Sequence, residues 1–180
     1  MSNALEILSA IEKSFQQKDF DSHDSILRPG KQGTYVFEWN SADTTIKGDL
    51  SEIDSIGILL NSIEVSKNIS PVMEIADYLK QTAETIEKRV NYLMEPLKII
   101  EMDSTTKAVQ LRSEKPEMQD GRLSYYELVL KAGKWFGYRN HVSVQRYTQL
   151  PEEEPNRHPV SFPVTKKQFQ KLVDDLTEIV

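Results

Sequence analysis

Apolar side chains recur at intervals of three and four residues in three segments of the chain, the spacing that puts them on one face of an α-helix. The first segment covers residues 3–16. The longest covers residues 71–94, between the N-cap candidate Ser70 and the helix-stopping Pro96. The third covers residues 165–180 and begins with a capping-box sequence. The pattern predicts an N-terminal helix, a long central helix and a C-terminal helix.

Other segments alternate apolar and polar residues or are rich in β-branched and aromatic residues, which indicates strands. Residues 50–66 fit both periods, and we favour a strand at 55–65 because Gly57 and the β-branched content weigh against a helix. The strands between residues 97 and 147 are joined by short links, so they can pair only in the antiparallel sense. The predicted strands are residues 34–40, 55–65, 97–102, 107–112, 123–131 and 135–147, with an edge strand at 160–164 because Pro163 has no N–H to donate.

These elements predict an α+β fold. It is an antiparallel meander sheet of about five to seven strands, packed by the long central helix and by the two terminal helices. At 180 residues we expect a single α+β domain. In an alternative division, residues 1–68 form a lobe of one helix and two strands, and residues 69–180 hold the long helix, a four-stranded meander and the C-terminal helix.

Composition narrows the function classes. The chain has no cysteine, which excludes a disulfide scaffold and a thiol nucleophile. No GxGxxG, Walker A, GxSxG or HExxH motif is present, so we predict neither a cofactor nor a metal site. The sequence contains no secretory signal and no apolar run long enough for a membrane span. We therefore expect a cytoplasmic protein that does not bind membranes.

The net charge of −6 is unevenly distributed along the chain. Residues 121–150 contain five basic side chains and only one acidic side chain, together with Trp135 and other aromatic residues. Cations interleaved with aromatic rings are the two ingredients of a single-strand nucleic-acid platform, which makes residues 131–147 a candidate. Because the total charge is negative, long-range attraction to a polyanion is weak and a nucleic acid is an unfavoured partner.

The alternation of the predicted strands indicates which side chains share a face of the sheet. If Val142 and Val144 face the core, the neighbouring polar positions of that strand face away from it. The same reasoning on the two preceding strands gives an uncovered face, on which a carboxylate–imidazole pair between Glu127 and His141 would suit acid–base chemistry. The side chains predicted on this face are Arg112, Tyr125, Glu127, His141, Gln145 and Tyr147.

The sequence thus supports three hypotheses about function. The leading one is a non-catalytic module, adaptor or chaperone-like, that binds a protein or peptide, or a second copy of itself, through the uncovered sheet face and a basic aromatic hairpin. The first alternative is a small-molecule binder or enzyme with a polar site on that face, and the second is the nucleic-acid binder. The candidate ligand-binding residues are Arg112, Tyr125, Glu127, Trp135, Arg139, His141, Gln145 and Tyr147.

Overall fold

The computed structural model describes residues 2–20, 22, 25–70, 74–93, 95–133, 139–150 and 156–180. The predicted helix start at Pro71 and the candidate residue Trp135 lie outside these ranges. The helices are α1 (Asn3–Gln17), α2 (Ile75–Arg89) and α3 (Lys166–Ile179). The strands are β1 (Leu27–Pro29), β2 (Tyr35–Asn40), β3 (Thr44–Ile53), β4 (Gly57–Asn68), β5 (Leu97–Asp103), β6 (Ala108–Ser113), β7 (Glu117–Gln119), β8 (Arg122–Gly133), β9 (Arg139–Gln149), β10 (His158–Val160) and β11 (Phe162–Thr165).

The terminal helices form where the apolar spacing predicts them. In α3 the Thr165 hydroxyl accepts the backbone N–H of Gln168, while the Gln168 side chain accepts the backbone N–H of Thr165. This reciprocal capping box satisfies two amides that have no partner inside the helix. In α1 the N-cap is Ser2, and the buried stripe contains Ile7, Leu8 and Ile11. Both helices therefore bury one face against the sheet and against each other.

The prediction of a long central helix is wrong. Helix α2 has 15 residues, the same number as α1, and it ends at Arg89. Val90 and Leu93 continue the apolar spacing and are fully buried, but they lie in a non-helical stretch that leads into β5. Helical spacing of apolar residues indicates which side chains reach the core, but it does not require a helix. An irregular segment that packs on a sheet can satisfy the same pattern.

The sheet is antiparallel throughout the described strands, as predicted, but it has eleven strands rather than five to seven. The prediction missed β3 as a separate strand, because its first residues are polar and its turn to β4 is only three residues long. Asp54 makes this turn, accepting the backbone N–H groups of Ile56 and Gly57 at 2.7 Å each. The segment interpreted as a polar loop before β8 contains β7, which turns at Asp120 and Gly121, both with positive φ.

The two halves of the chain have the same plan. Helix α1 precedes β1 to β4, and helix α2 precedes β5, β6, β8 and β9. The sheet order is β1-β2-β3-β4-β9-β8-β6-β5, so the fourth of the listed strands in each half, β4 and β9, pair with each other at the centre. One sheet therefore joins the segment 1–68 to the rest of the chain.

The predicted edge strand at 160–164 falls on β10 and β11, each of which has a described partner strand on one side only. Strand β10 pairs with the second half of β9, and β11 pairs with the first half of β4. The two short strands enter where β4 and β9 diverge, after the pairing of Ser62 with Gln145. Pro163 is tolerated because the described pairing of β11 is with β4 alone.

The three helices pack on one face of the sheet and enclose the core between the two layers. The core takes alternate residues of the central strands, including Val142, Val144, Leu128 and Leu130. No helix in the described part of the chain is both long and apolar enough to cross a bilayer. The opposite face of the sheet carries those candidate functional residues that the structure describes.

Candidate functional site on the open sheet face

We call the sheet face opposite the helices the open face. Strand register determines its membership: Tyr125 lies opposite Tyr147, Glu127 opposite Gln145, and Arg112 opposite Glu127. Since directly opposed residues of antiparallel strands point to the same side, these five side chains share one face. The shared face is therefore as the alternation predicts. Their role in binding a ligand stays a prediction.

Glu127 is the centre of a hydrogen-bonded group that we call the Glu127 cluster. It is only 3% exposed, although it lies on the face away from the helices. Its Oε2 atom accepts the Nε–H of Arg112 at 3.0 Å, and it also accepts the Gln110 amide and an N–H of Arg157. A buried carboxylate has to be compensated in this way, because removing its water of hydration is costly.

Two tyrosine rings support the two guanidinium groups of the cluster. The Arg112 guanidinium carbon lies 4.9 Å from the centre of the Tyr125 ring, and that of Arg157 lies 4.1 Å from the centre of the Tyr147 ring. The two rings face each other across the strands at 6.1 Å. Burial raises the pKa of Tyr147, so its hydroxyl stays protonated and donates to Gln145 at 2.9 Å.

Arg157 is the member of the cluster that the sequence did not predict. It lies within residues 150–159, an acidic segment bracketed by prolines and interpreted from the sequence as a loop, where an arginine has no periodic partner to indicate its direction. Position 157 adjoins β10, which pairs with β9, and its side chain crosses Tyr147 to reach Glu127 on β8. The long-range pairing of β10 therefore decides its position.

His141 occupies a different part of the open face, so the predicted Glu127–His141 pair is wrong. It lies opposite Lys131 and Ser66, and its Nδ1 atom is 2.9 Å from the Ser66 hydroxyl. Burial lowers the pKa of His141, with a further lowering from Lys131 and an opposing rise from Glu64. The imidazole is therefore held neutral at neutral pH.

The part of the open face around His141 forms a depression that we call the polar groove. Two adjacent hollows make it up, of about 580 and 460 Å³, and they share Glu38, Lys47 and Glu64. Lys47 and Glu38 form a 3.0 Å ion pair in which both side chains are half exposed. At one end Arg139 donates to Asn68 at 2.8 Å and to Thr45 at 3.3 Å. Both hollows are open to solvent.

The basic charge of residues 121–150 is divided between the two faces. Arg146 points to the helix side, where it pairs with Glu95 at 3.0 Å and with Glu117 at 2.6 Å. Lys131 is on the open face and Arg122 lies at the start of β8, while Lys134 is outside the described residues. The described cations therefore do not form one basic patch.

The described residues contain no group of three His, Cys, Asp or Glu side chains placed to hold a metal ion. The open face combines paired charges, tyrosine rings and amide side chains with one neutral imidazole. Such a surface can bind charged and polar groups by hydrogen bonding and stacking. Comparison with protein-family models, with curated proteins and with solved structures found no match.

Proposed function

We propose that the protein binds an extended segment of a partner polypeptide in the polar groove of the open face. The observation that carries the proposal is the continuity of the two hollows, which share Glu38, Lys47 and Glu64 across β2, β3 and β4. Their combined length crosses several strands. A groove of this kind suits a chain of residues better than one compact ligand.

The chemistry of the groove favours a polypeptide over a small molecule. Small-molecule sites are usually enclosed and lined mainly by apolar side chains. The hollow around His141 is instead lined by charged and polar groups, including Glu64, Arg139 and Ser66. An exposed ion pair such as Lys47–Glu38 stabilises the protein by only ~0–1 kcal/mol. Lys47 and Glu38 can therefore separate and pair with charged groups of a partner at little cost.

Selection from a phage-displayed library of random dodecapeptides tests the proposal, followed by fluorescence polarisation with the selected peptides. We expect the wild-type protein to enrich a family of peptides. The double variant Lys47→Glu/Glu64→Lys should bind them at least ~tenfold more weakly, because two of the three charged side chains shared by the hollows are reversed.

Lys13→Glu/Glu6→Lys is the matched control, since it makes the same two charge reversals, with no change in net charge, at exposed positions of α1 on the helix side. It should leave peptide affinity unchanged. The proposal fails if no peptide family is enriched. It also fails if the double variant binds the selected peptides as tightly as the wild type does.

The Ser66–His141 hydrogen bond favours a second candidate function, hydrolysis at the same groove. In the tautomer with an unprotonated Nδ1, the neutral imidazole accepts the Ser66 hydroxyl proton, which is the arrangement of a serine nucleophile and its base. Treatment with a fluorophosphonate followed by mass spectrometry tests it. Covalent labelling of Ser66 that is lost in His141→Gln would support hydrolysis, and an unlabelled Ser66 would reject it.

A further inference from the structure

We propose that Glu127, Tyr125 and Tyr147 form a binding site for an arginine side chain of the partner, and that the chain's own Arg157 occupies this site in the partner's absence. The inference deepens the proposed function and rests on it for the nature of the partner. It adds the residue type that the partner must contain and an internal competitor for the site.

The site matches a guanidinium group in shape and in charge. The face of the Arg157 guanidinium lies on the Tyr147 ring, which contacts the Tyr125 ring, and its edge meets the Glu127 carboxylate. A guanidinium is planar and carries five N–H donors, so it can stack and donate at the same time. A lysine ammonium cannot stack in this way, and the site should therefore prefer arginine.

The residues that form the site lie on strands in the middle of the sheet, whereas Arg157, which occupies it, lies in the segment before β10. Glu127 and Tyr125 are each 3% exposed and lie on β8 in the middle of the sheet. Arg157 lies before β10, and its side chain is 33% exposed. Departure of Arg157 therefore removes a surface side chain and leaves the strands that build the site in place.

Arg112 still compensates the buried Glu127 carboxylate when Arg157 is absent from the site. It lies on β6 directly opposite Glu127 and holds the same carboxylate oxygen at 3.0 Å, together with Gln110. The carboxylate thus retains one cation when Arg157 leaves. It can then accept a second guanidinium from outside.

The approach to the site is acidic. A hollow of about 240 Å³ lies beside the cluster, and Glu101, Asp103 and Glu127 line it together with Arg157. Among the described residues that line this hollow, three carboxylates accompany one cation, which favours the entry of a positively charged side chain. This charge pattern, together with the tyrosine rings, selects an arginine-containing segment as the occupant.

Titration with methylguanidinium chloride at millimolar concentration, followed by thermal unfolding and by NMR of the tyrosine rings, tests the site directly. In Arg157→Ala we expect saturable binding, with shifts at Tyr147 and a rise in Tm of about 3 °C. Methylammonium chloride should give no saturable effect. If Arg157 occupies the site nine-tenths of the time, the wild type should bind about tenfold more weakly.

The double variant Arg157→Ala/Tyr147→Leu keeps the carboxylate and removes the stacking ring, so it should lose the preference for methylguanidinium over methylammonium. Arg157→Gln provides a second vacated site if Arg157→Ala does not fold. The inference is overturned if the vacated site does not bind methylguanidinium saturably. It is also overturned if the wild type binds equally well, or if methylammonium binds as tightly.

The outcome of this test is separate from that of the proposed function. Selected peptides that bind the groove while methylguanidinium does not bind Arg157→Ala would reject the arginine site and keep the proposed function. A saturable methylguanidinium site without any enriched peptide would keep the arginine site and reject the proposed function. A tripeptide probe, N-acetyl-Gly-Arg-Gly-amide against its lysine analogue, joins the two tests, and the arginine form should bind Arg157→Ala more tightly.

Discussion

Strands β8 and β9 carry two clusters that combine arginine, tyrosine and glutamate, one on each face of the sheet. On the helix side Arg146 lies 4.6 Å from the centre of the Tyr126 ring and pairs with Glu95. On the open face Arg157 lies 4.1 Å from the centre of the Tyr147 ring and pairs with Glu127. Each cluster therefore combines a guanidinium, a tyrosine ring and a carboxylate that is almost fully buried.

The two clusters differ in where the arginine comes from. Arg146 belongs to β9 itself, opposite Tyr126, and its side chain is 10% exposed. Arg157 comes from outside the strands that carry Tyr147 and Glu127. Burial and attachment therefore make the first cluster a structural element, whereas the second can open without unfolding the sheet. The same chemistry has two roles because only one of the arginines is held by its own strand.

Arg146→Ala tests the structural cluster and should have the largest effect. Removal of the arginine leaves the buried Glu95 carboxylate without its cation, and one oxygen of Glu95 already has no hydrogen-bond partner among the described residues. We expect the free energy of unfolding to fall by about 3–5 kcal/mol, measured by urea denaturation. A loss below ~1 kcal/mol would mean that the helix-side cluster is no more structural than the open-face one.

Arg157→Ala is the matched substitution on the open face and should cost about 0–1 kcal/mol in the same assay. The reason is that Arg112 still compensates Glu127 and that the Arg157 side chain is partly solvated. The difference between the two variants measures how far the clusters diverge. Equal losses of 3 kcal/mol or more would contradict the distinction on which the arginine site depends.

The contribution of His141 to the pH dependence of stability should be the smallest effect, and it tests another position on β9. Its pKa in the folded protein is below the ordinary value of 6.5, with burial as the largest cause, while Glu64 and Lys131 act in opposite directions. The unfolded chain therefore binds the proton more tightly, and stability falls as the pH drops from about 6.5 toward the lowered pKa.

We expect His141→Gln to flatten this part of the stability curve, measured by denaturation at pH values between about 7 and 5. Carboxylates titrate mostly at lower pH, so they contribute little to the difference in this interval. Curves of wild type and variant that run parallel would show that burial does not perturb His141, and that the open face is more solvated at this point than the structure indicates.

The sequence predicted the local part of the candidate site well. Alternation in β8 and β9 assigned Tyr125, Glu127 and Tyr147 to one face, because side chains of a strand point alternately to its two sides. It could not assign partners between strands, since these depend on register. Glu127 faces Gln145, and His141 lies four residues away from Gln145 along β9, opposite Lys131.

The sequence likewise predicted part of the fold. Apolar spacing located all three helices and the antiparallel strands of the second half, but it gave α2 too great a length and left β3 without separate bounds. Weakly patterned short strands such as β1, β7 and β10 form because a neighbouring strand offers them backbone partners. Their own side chains carry little signal.

The amino-acid order alone determined the class of the fold, the antiparallel sense of the linked strands and the division of β8 and β9 into two faces, because these follow from local spacing and from the length of connections. The pairing of β4 with β9, the entry of β10 and β11 between them, and the position of Arg157 over Tyr147 were decided only by the assembled structure. These features join residues far apart in the chain, and no local periodicity encodes which distant strand will satisfy a free backbone edge.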